Sequence, residues 1–262
     1  MFVTSALTVP LFAWPLLCAQ YYEENRNAPE GGKILSRIEN FTQYNPGLDF
    51  LLTGDKLVRN APSELQQARS SLLALAPTCF SSPPRCLLCV CCRCVQPVMC
   101  SDLFKERAIM YKEKVNYKLP GGAGFAPHQD VAAGWWMYKQ SLHISCLVSI
   151  DPATVANGCL EVVAGKHTEG MMSEEWKEIP LSKVETMKWE MVPTEPGDVL
   201  FFDSYVPHRS GPNDTDTSRR VLYVTYVKES EGDFRDRYYA DKRANFPPDC
   251  EREAGKKYEY KI

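Results

Sequence analysis

Apolar and polar residues alternate in short runs through the second half of the chain. "AIMYKEKVNYKL" from Ala108 and "SLHISCLVSID" from Ser141 each change sides from one residue to the next. This period of two belongs to extended strands with one buried face. "CLEVVAG", "WEMV", "DVLFFD" and "SRRVLYVTYVKES" continue the series. Asp151-Pro152, Asn157-Gly158 and Pro196-Gly197-Asp198 punctuate it as turns. Closely spaced short strands joined by turns predict a mainly β fold, a sandwich or jelly roll, with flanking helices.

The front of the chain reads differently. Over residues 21–58, Ile34, Ile38 and Phe41 follow a helical spacing, and Leu48, Leu51 and Leu52 begin another. Short helices are expected here, with Asn45-Pro46-Gly47 as the turn between them. Residues 59–100 carry neither period and are expected to form a poorly ordered insertion. Residues 21–58 and 101–262 then make one domain, interrupted by that insertion.

Composition adds limits. Of 262 residues, 44% are hydrophobic and 24% charged, with a net charge of −3, which supplies no basic stripe for nucleic acid. No apolar run is long enough to span a bilayer. Seven of the eleven cysteines crowd into residues 79–100, where an evenly spaced disulfide framework would spread them. The crowd lacks a histidine and paired Cys-x₂-Cys knuckles, so no zinc site is expected. The rest of the chain reads as a reduced, cytoplasmic-type domain. Residues 1–20, "MFVTSALTVPLFAWPLLCAQ", are apolar and could serve as a secretory signal peptide, or could be an aberrant start.

The chemistry gathers around few residues. His128 and Asp130 stand at i and i+2, so on a strand or its end both side chains reach one side. His208, in the polar turn "HRSGPN" after a strand, is the best third ligand. Two imidazoles and one carboxylate on one face of an iron leave three positions open, as oxygenases require. A keto acid can take two of these and dioxygen the third. Arg219 can fork onto the keto acid's far carboxylate, with Ser210 as a further donor and Lys118 as a second cation. Arg220 should face the other way, and Gln129 should point away from the metal. His143 and His167 are expected to be structural.

"EKVNYKLPGG", "FAPHQD", "NGCLEVVAGKH", "PGDVLFFDSYVPHRSGPN" and "SRRVLYVTY" together resemble the phytanoyl-CoA dioxygenase family of Fe(II)/2-oxoglutarate-dependent oxygenases. Within it they look nearest to ectoine hydroxylases and 2-aminoethylphosphonate dioxygenases. The resemblance implies a double-stranded β-helix. It implies iron on His128, Asp130 and His208, with 2-oxoglutarate held by Arg219, Ser210, Lys118 and Asn116. Residues 59–100 depart from the family, in which the preceding helix runs almost directly into the next segment.

The expected reaction consumes 2-oxoglutarate and O₂, releases succinate and CO₂, and hydroxylates a C–H bond. The expected substrate is a small polar or zwitterionic metabolite, phosphonate- or ectoine-like. A fatty acyl-CoA, or a catalytically silent jelly roll, is the alternative. Trp135, Trp136 and Tyr138 could cage a substrate ammonium, and Lys112 and Lys114 could meet an anionic head group.

Overall fold

The computed structural model describes residues 19–28, 32–44, 52–53 and 95–258. Ten strands form two antiparallel sheets. In chain order they are β1 (Ala19–Glu24), β2 (Lys33–Glu39), β3 (Ala108–Lys118), β4 (Phe125–His128), β5 (Ile144–Ser149), β6 (Leu160–Val162), β7 (Glu190–Val192), β8 (Val199–Asp203), β9 (His208–Ser210) and β10 (Arg219–Lys228). The larger sheet runs β1-β2-β3-β10-β5-β8, and the smaller runs β4-β9-β6-β7. The strands cross between sheets in the manner of a jelly roll, as the alternating pattern predicts. Helices flank them: α1 (Val95–Phe104), the single turn α2 (Leu181–Val184) and α3 (Arg235–Asn245). No described helix is long and apolar enough to cross a membrane.

Strand parity divides the core. On β10, Val221 and Tyr223 point between the sheets and pack with Leu147, Phe202 and Leu160. Val224 and Tyr226, of opposite parity, pack behind the large sheet with Cys100 and Phe104 of α1. Each fully buried apolar side chain of this kind contributes roughly 1.5–3 kcal/mol. The ladder β3–β10 pairs Lys118 with Arg219, Asn116 with Val221, Lys114 with Tyr223 and Lys112 with Thr225. Lys112, Lys114, Asn116 and Lys118 therefore share the face of β3 that looks between the sheets.

Over Ala19–Glu24 and Lys33–Glu39 the chain is extended where a helix was expected, while the turn at 45–47 and the helix start at positions 48 and 51 lie outside the described residues. β1 and β2 form a hairpin, and β2 pairs with β3 through Arg37–Asn116 and Glu39–Lys114. Ile34 and Ile38 are four apart, which suits one face of a helix and equally one face of a strand. Pairing with the open edge of β3 decides between them. Phe41 and Leu52 join the core behind the large sheet, Leu52 from a helical position.

The expected insertion over residues 59–100 meets α1 at its C-terminal end. Residues 95–100 begin α1, and Cys100 is buried 3.6 Å from Cys146, Sγ to Sγ. The remainder of residues 59–100 lies outside the described residues, as does the N-terminal segment up to residue 18. Ala19 and Gln20, at that segment's end, already belong to β1.

Candidate metal centre

β4 and β9 lie side by side in the small sheet with His128 opposite His208. His208 is thus a strand residue, not the turn residue that its polar surroundings suggest. The imidazole ring centroids are 4.2 Å apart. Asp130 opens the 3-10 turn that follows β4, and its Oδ2 is 4.0 Å from His208 Nε2. One donor atom from each of the three residues lies within 4.8 Å of the others.

The rings are aimed from behind. His128 Nδ1 is 2.6 Å from the Ala126 carbonyl, and His208 Nδ1 is 3.0 Å from the Val206 carbonyl. A carbonyl only accepts, so each Nδ1 carries the proton and donates it. Both Nε2 lone pairs are then left for a metal. Burial pushes the His128 imidazole down to about 3, with the neighbouring His208 adding to it. Burial also lowers His208, against the pull of Asp130. Burial works to raise the Asp130 carboxyl, but Lys114, His208, His128 and Lys112 outweigh it and hold the group well below the usual carboxylate range. Ser145 Oγ, 3.4 Å from Asp130 Oδ2, steadies it, and Ser145 is in turn 3.0 Å from Thr225 Oγ1. Two neutral imidazoles and one carboxylate suit ferrous iron.

Gln129 turns its amide the other way. Its Nε2 donates to the Gly170 and Tyr205 carbonyls, and its Oε1 accepts from Met172 N–H.

A basic end lies two positions beyond His208. Lys118 Nζ donates to Ser210 Oγ at 2.7 Å and to the carbonyls of Gly211 and Gly158 at 2.5 and 3.3 Å. Burial, with Arg219 beside it, brings the Lys118 ammonium down to about 7. Arg219 is 3% exposed, and its Nε finds no partner. Its guanidinium also bonds Tyr223. Asn116, on the same face, has a buried Oδ1 that is equally without a partner. A buried guanidinium N–H left open is a place for an anion, and a dicarboxylate's far end fits it. Arg220 faces outward onto Asp151, as its parity predicts.

Beside Asp130 lies a narrow cavity lined by Lys112, Lys114, Asp130, Trp135, Ser145, Tyr223 and Thr225. Lys112 and Lys114 do reach it. So does Trp135, from a short 3-10 helix. Trp136 is exposed, and Tyr138 packs on Phe234 with its hydroxyl on Asp241. Neither of these two lines the cavity. His143 is buried against Tyr111 and Trp135, and His167 is exposed. Tyr223 and Thr225 were missed from sequence, although both share Arg219's parity on one strand. Ser145 shares that of His143. Glu39, described below, gave no signal.

A family model described as phytanoyl-CoA dioxygenase matches residues 32–221. A 2-aminoethylphosphonate dioxygenase from an uncultured bacterium is 34% identical over 255 residues, 96% of this chain and 81% of that protein. A methylphosphonate hydroxylase from Gimesia maris is 46% identical over 151 residues, 57% of this chain and 57% of that protein. Among solved structures, EctD from S. alaskensis with bound Fe superposes with a TM-score of 0.51 at 16% identity, covering 79% of this chain and 62% of that one. AviO1 from Streptomyces viridochromogenes gives 0.50 at 20% identity, covering 80% and 73%. These two show the same fold.

Proposed function

The chain belongs to the phytanoyl-CoA dioxygenase family, and from that premise we infer that it is an Fe(II)/2-oxoglutarate-dependent dioxygenase that hydroxylates a small phosphonate. The observation that carries this reading is the convergence of His128, Asp130 and His208 within 4.8 Å. The phosphonate follows from two relatives whose names specify one, and from a cavity with two lysines on its wall.

With iron and 2-oxoglutarate bound, one oxygen atom of O₂ ends in succinate as CO₂ leaves, and the other enters a C–H bond of the substrate. The chain's residues bind and orient. His128 and His208 offer neutral nitrogens and Asp130 offers the single negative charge, three ligands that would leave a bound iron open to 2-oxoglutarate and O₂. Ser210 lies two residues along β9 from His208, a step of roughly 7 Å. A five-carbon dicarboxylate spans such a distance, so Arg219 Nε, Lys118 and Ser210 would hold its far carboxylate. Phe202 covers His208 at a ring-centroid distance of 5.2 Å and keeps water from that side.

The test is aerobic turnover with Fe(II), ascorbate and 2-oxoglutarate against a phosphonate panel. Succinate and the ³¹P spectrum are both recorded. Hydroxylated phosphonate should appear in step with succinate. Succinate with no phosphorus-containing product from any member would reject the substrate class.

A further inference from the structure

Trp135 lines the cavity and pairs edge-on with Tyr238, and that pair already holds a cation. Lys112 Nζ lies 5.6 Å from the Trp135 ring centroid and 5.3 Å from that of Tyr238. Trp135 and Tyr238 are 1% and 3% exposed, and Tyr111 wedges against both. Glu39, fully buried, sits behind the ammonium with its Oε1 3.8 Å from Lys112 Nζ. Arg37 Nε is 3.2 Å from that same oxygen, and Lys242 of α3 pairs with Oε2.

Two consequences follow. The π faces that would attract a substrate ammonium are occupied by the protein's own lysine. Among the described residues the only carboxylate on the cavity wall is Asp130, which belongs to the metal centre; Glu39 does not line the cavity and is shared among three basic side chains. Lys114 adds a second ammonium to the wall, one rung along from Lys112 and 5.0 Å from the Tyr223 ring. A ligand there meets two positive charges and no free negative one. An anion gains from both. An amine attached to that anion finds its cage filled and a like charge beside it.

We propose that Lys112 is a specificity-determining residue that selects phosphonates without an ammonium group and disfavours amino-phosphonates. The proposal rests on the phosphonate reading above and narrows it. Glu39 acts here as a positioning residue, holding the Lys112 ammonium over the rings.

Three ligands of near-equal length isolate the charge: propylphosphonate, 2-hydroxyethylphosphonate and 2-aminoethylphosphonate. Their binding to the full chain with Fe(II) and 2-oxoglutarate, under anaerobic conditions, is read by calorimetry. The first two should bind within about threefold of each other and at least tenfold more tightly than the third, about 1.4 kcal/mol. Lys112→Met should cut the amine's disadvantage to threefold or less. Equal or tighter binding of the amino-phosphonate to the wild-type chain overturns the proposal and leaves the phosphonate reading standing. An unchanged ratio in the folded variant overturns the assignment to Lys112. If that variant does not fold, the wild-type comparison decides by itself. Binding of 2-oxoglutarate without binding of any of the three phosphonates removes the phosphonate reading, and this proposal with it.

Discussion

At Arg219, burial and an unmade hydrogen bond coincide. The side chain is almost fully enclosed, yet its Nε has no acceptor. Enclosing a guanidinium N–H with nothing to receive it costs on the order of 1–3 kcal/mol, and an incoming carboxylate reverses that cost. Arg219→Ala should therefore raise the 2-oxoglutarate KM by about a hundredfold, roughly 3 kcal/mol. Iron content after metal loading should stay at the wild-type level, because no ligand is touched. A KM unchanged by the substitution would show that the keto acid is held elsewhere. Arg219 was legible beforehand because strand parity sets which way it points, and His128 and Asp130 because they stand two apart at the end of a strand. The same rule separated Arg219 from Arg220. Lys112 was legible only as a lysine on the right face. What fixes its role is Glu39, and Glu39 itself is paired with Lys242, 203 positions away in sequence. No local pattern encodes such a contact.

Elements show the same division between local and distant causes. The alternating runs of β3, β5 and β10 could be read directly, since each needs one buried face and nothing else. β2 could not, because Ile34 and Ile38 suit either period and only the neighbouring strand settles the matter. α3 is the clearest case of a distant cause. Its sequence, "RDRYYADKRAN", is mostly polar, yet Tyr238 and Lys242 are buried. The helix is held by Arg235, which pairs with buried Glu113 on β3 and donates to Asn40 Oδ1 at 3.1 Å and Thr42 Oγ1 at 3.2 Å. Tyr239 adds a hydroxyl on Glu113 Oε2 at 3.1 Å. Removing one partner from such a buried pair costs about 3–5 kcal/mol, because the other charge stays enclosed. Arg235→Ala should lower the melting temperature by about 10 °C at this chain length. It should also speed proteolytic cleavage within α3. A melting point within 2 °C of wild type would mean that the pair is offset by its own desolvation.

For the molecule as a whole, the buried histidines set the response to acid. His128, His143 and His208 all lie inside, and burial lowers all three, to about 3 for His128 and about 4 for His143. An unfolded histidine takes its proton near pH 6.5. Between that pH and about 4 the unfolded chain therefore binds protons that the fold refuses. Stability is full above pH 6.5 and falls as the pH drops through this window, at up to about 2.7 kcal/mol per pH unit for His128 and His143, with His208 adding in the same direction. Glu39 and Asp130 come next. Their carboxyls are held below the usual range, so their contribution is present above about pH 4 and is lost beneath it. His143 allows a test without disturbing the metal centre. It stacks edge-on with Tyr111, and its Nε2 has no partner, so His143→Phe keeps the aromatic contact and removes the titration. For the metal-free chain, the unfolding free energy from urea titrations at several pH values between 7 and 5 should fall less steeply in the variant. The slopes should differ by close to one proton, about 1.4 kcal/mol per pH unit. Parallel lines for the two proteins would show that His143 keeps its proton inside the fold, and the aromatic wall behind the cavity would then carry a charge.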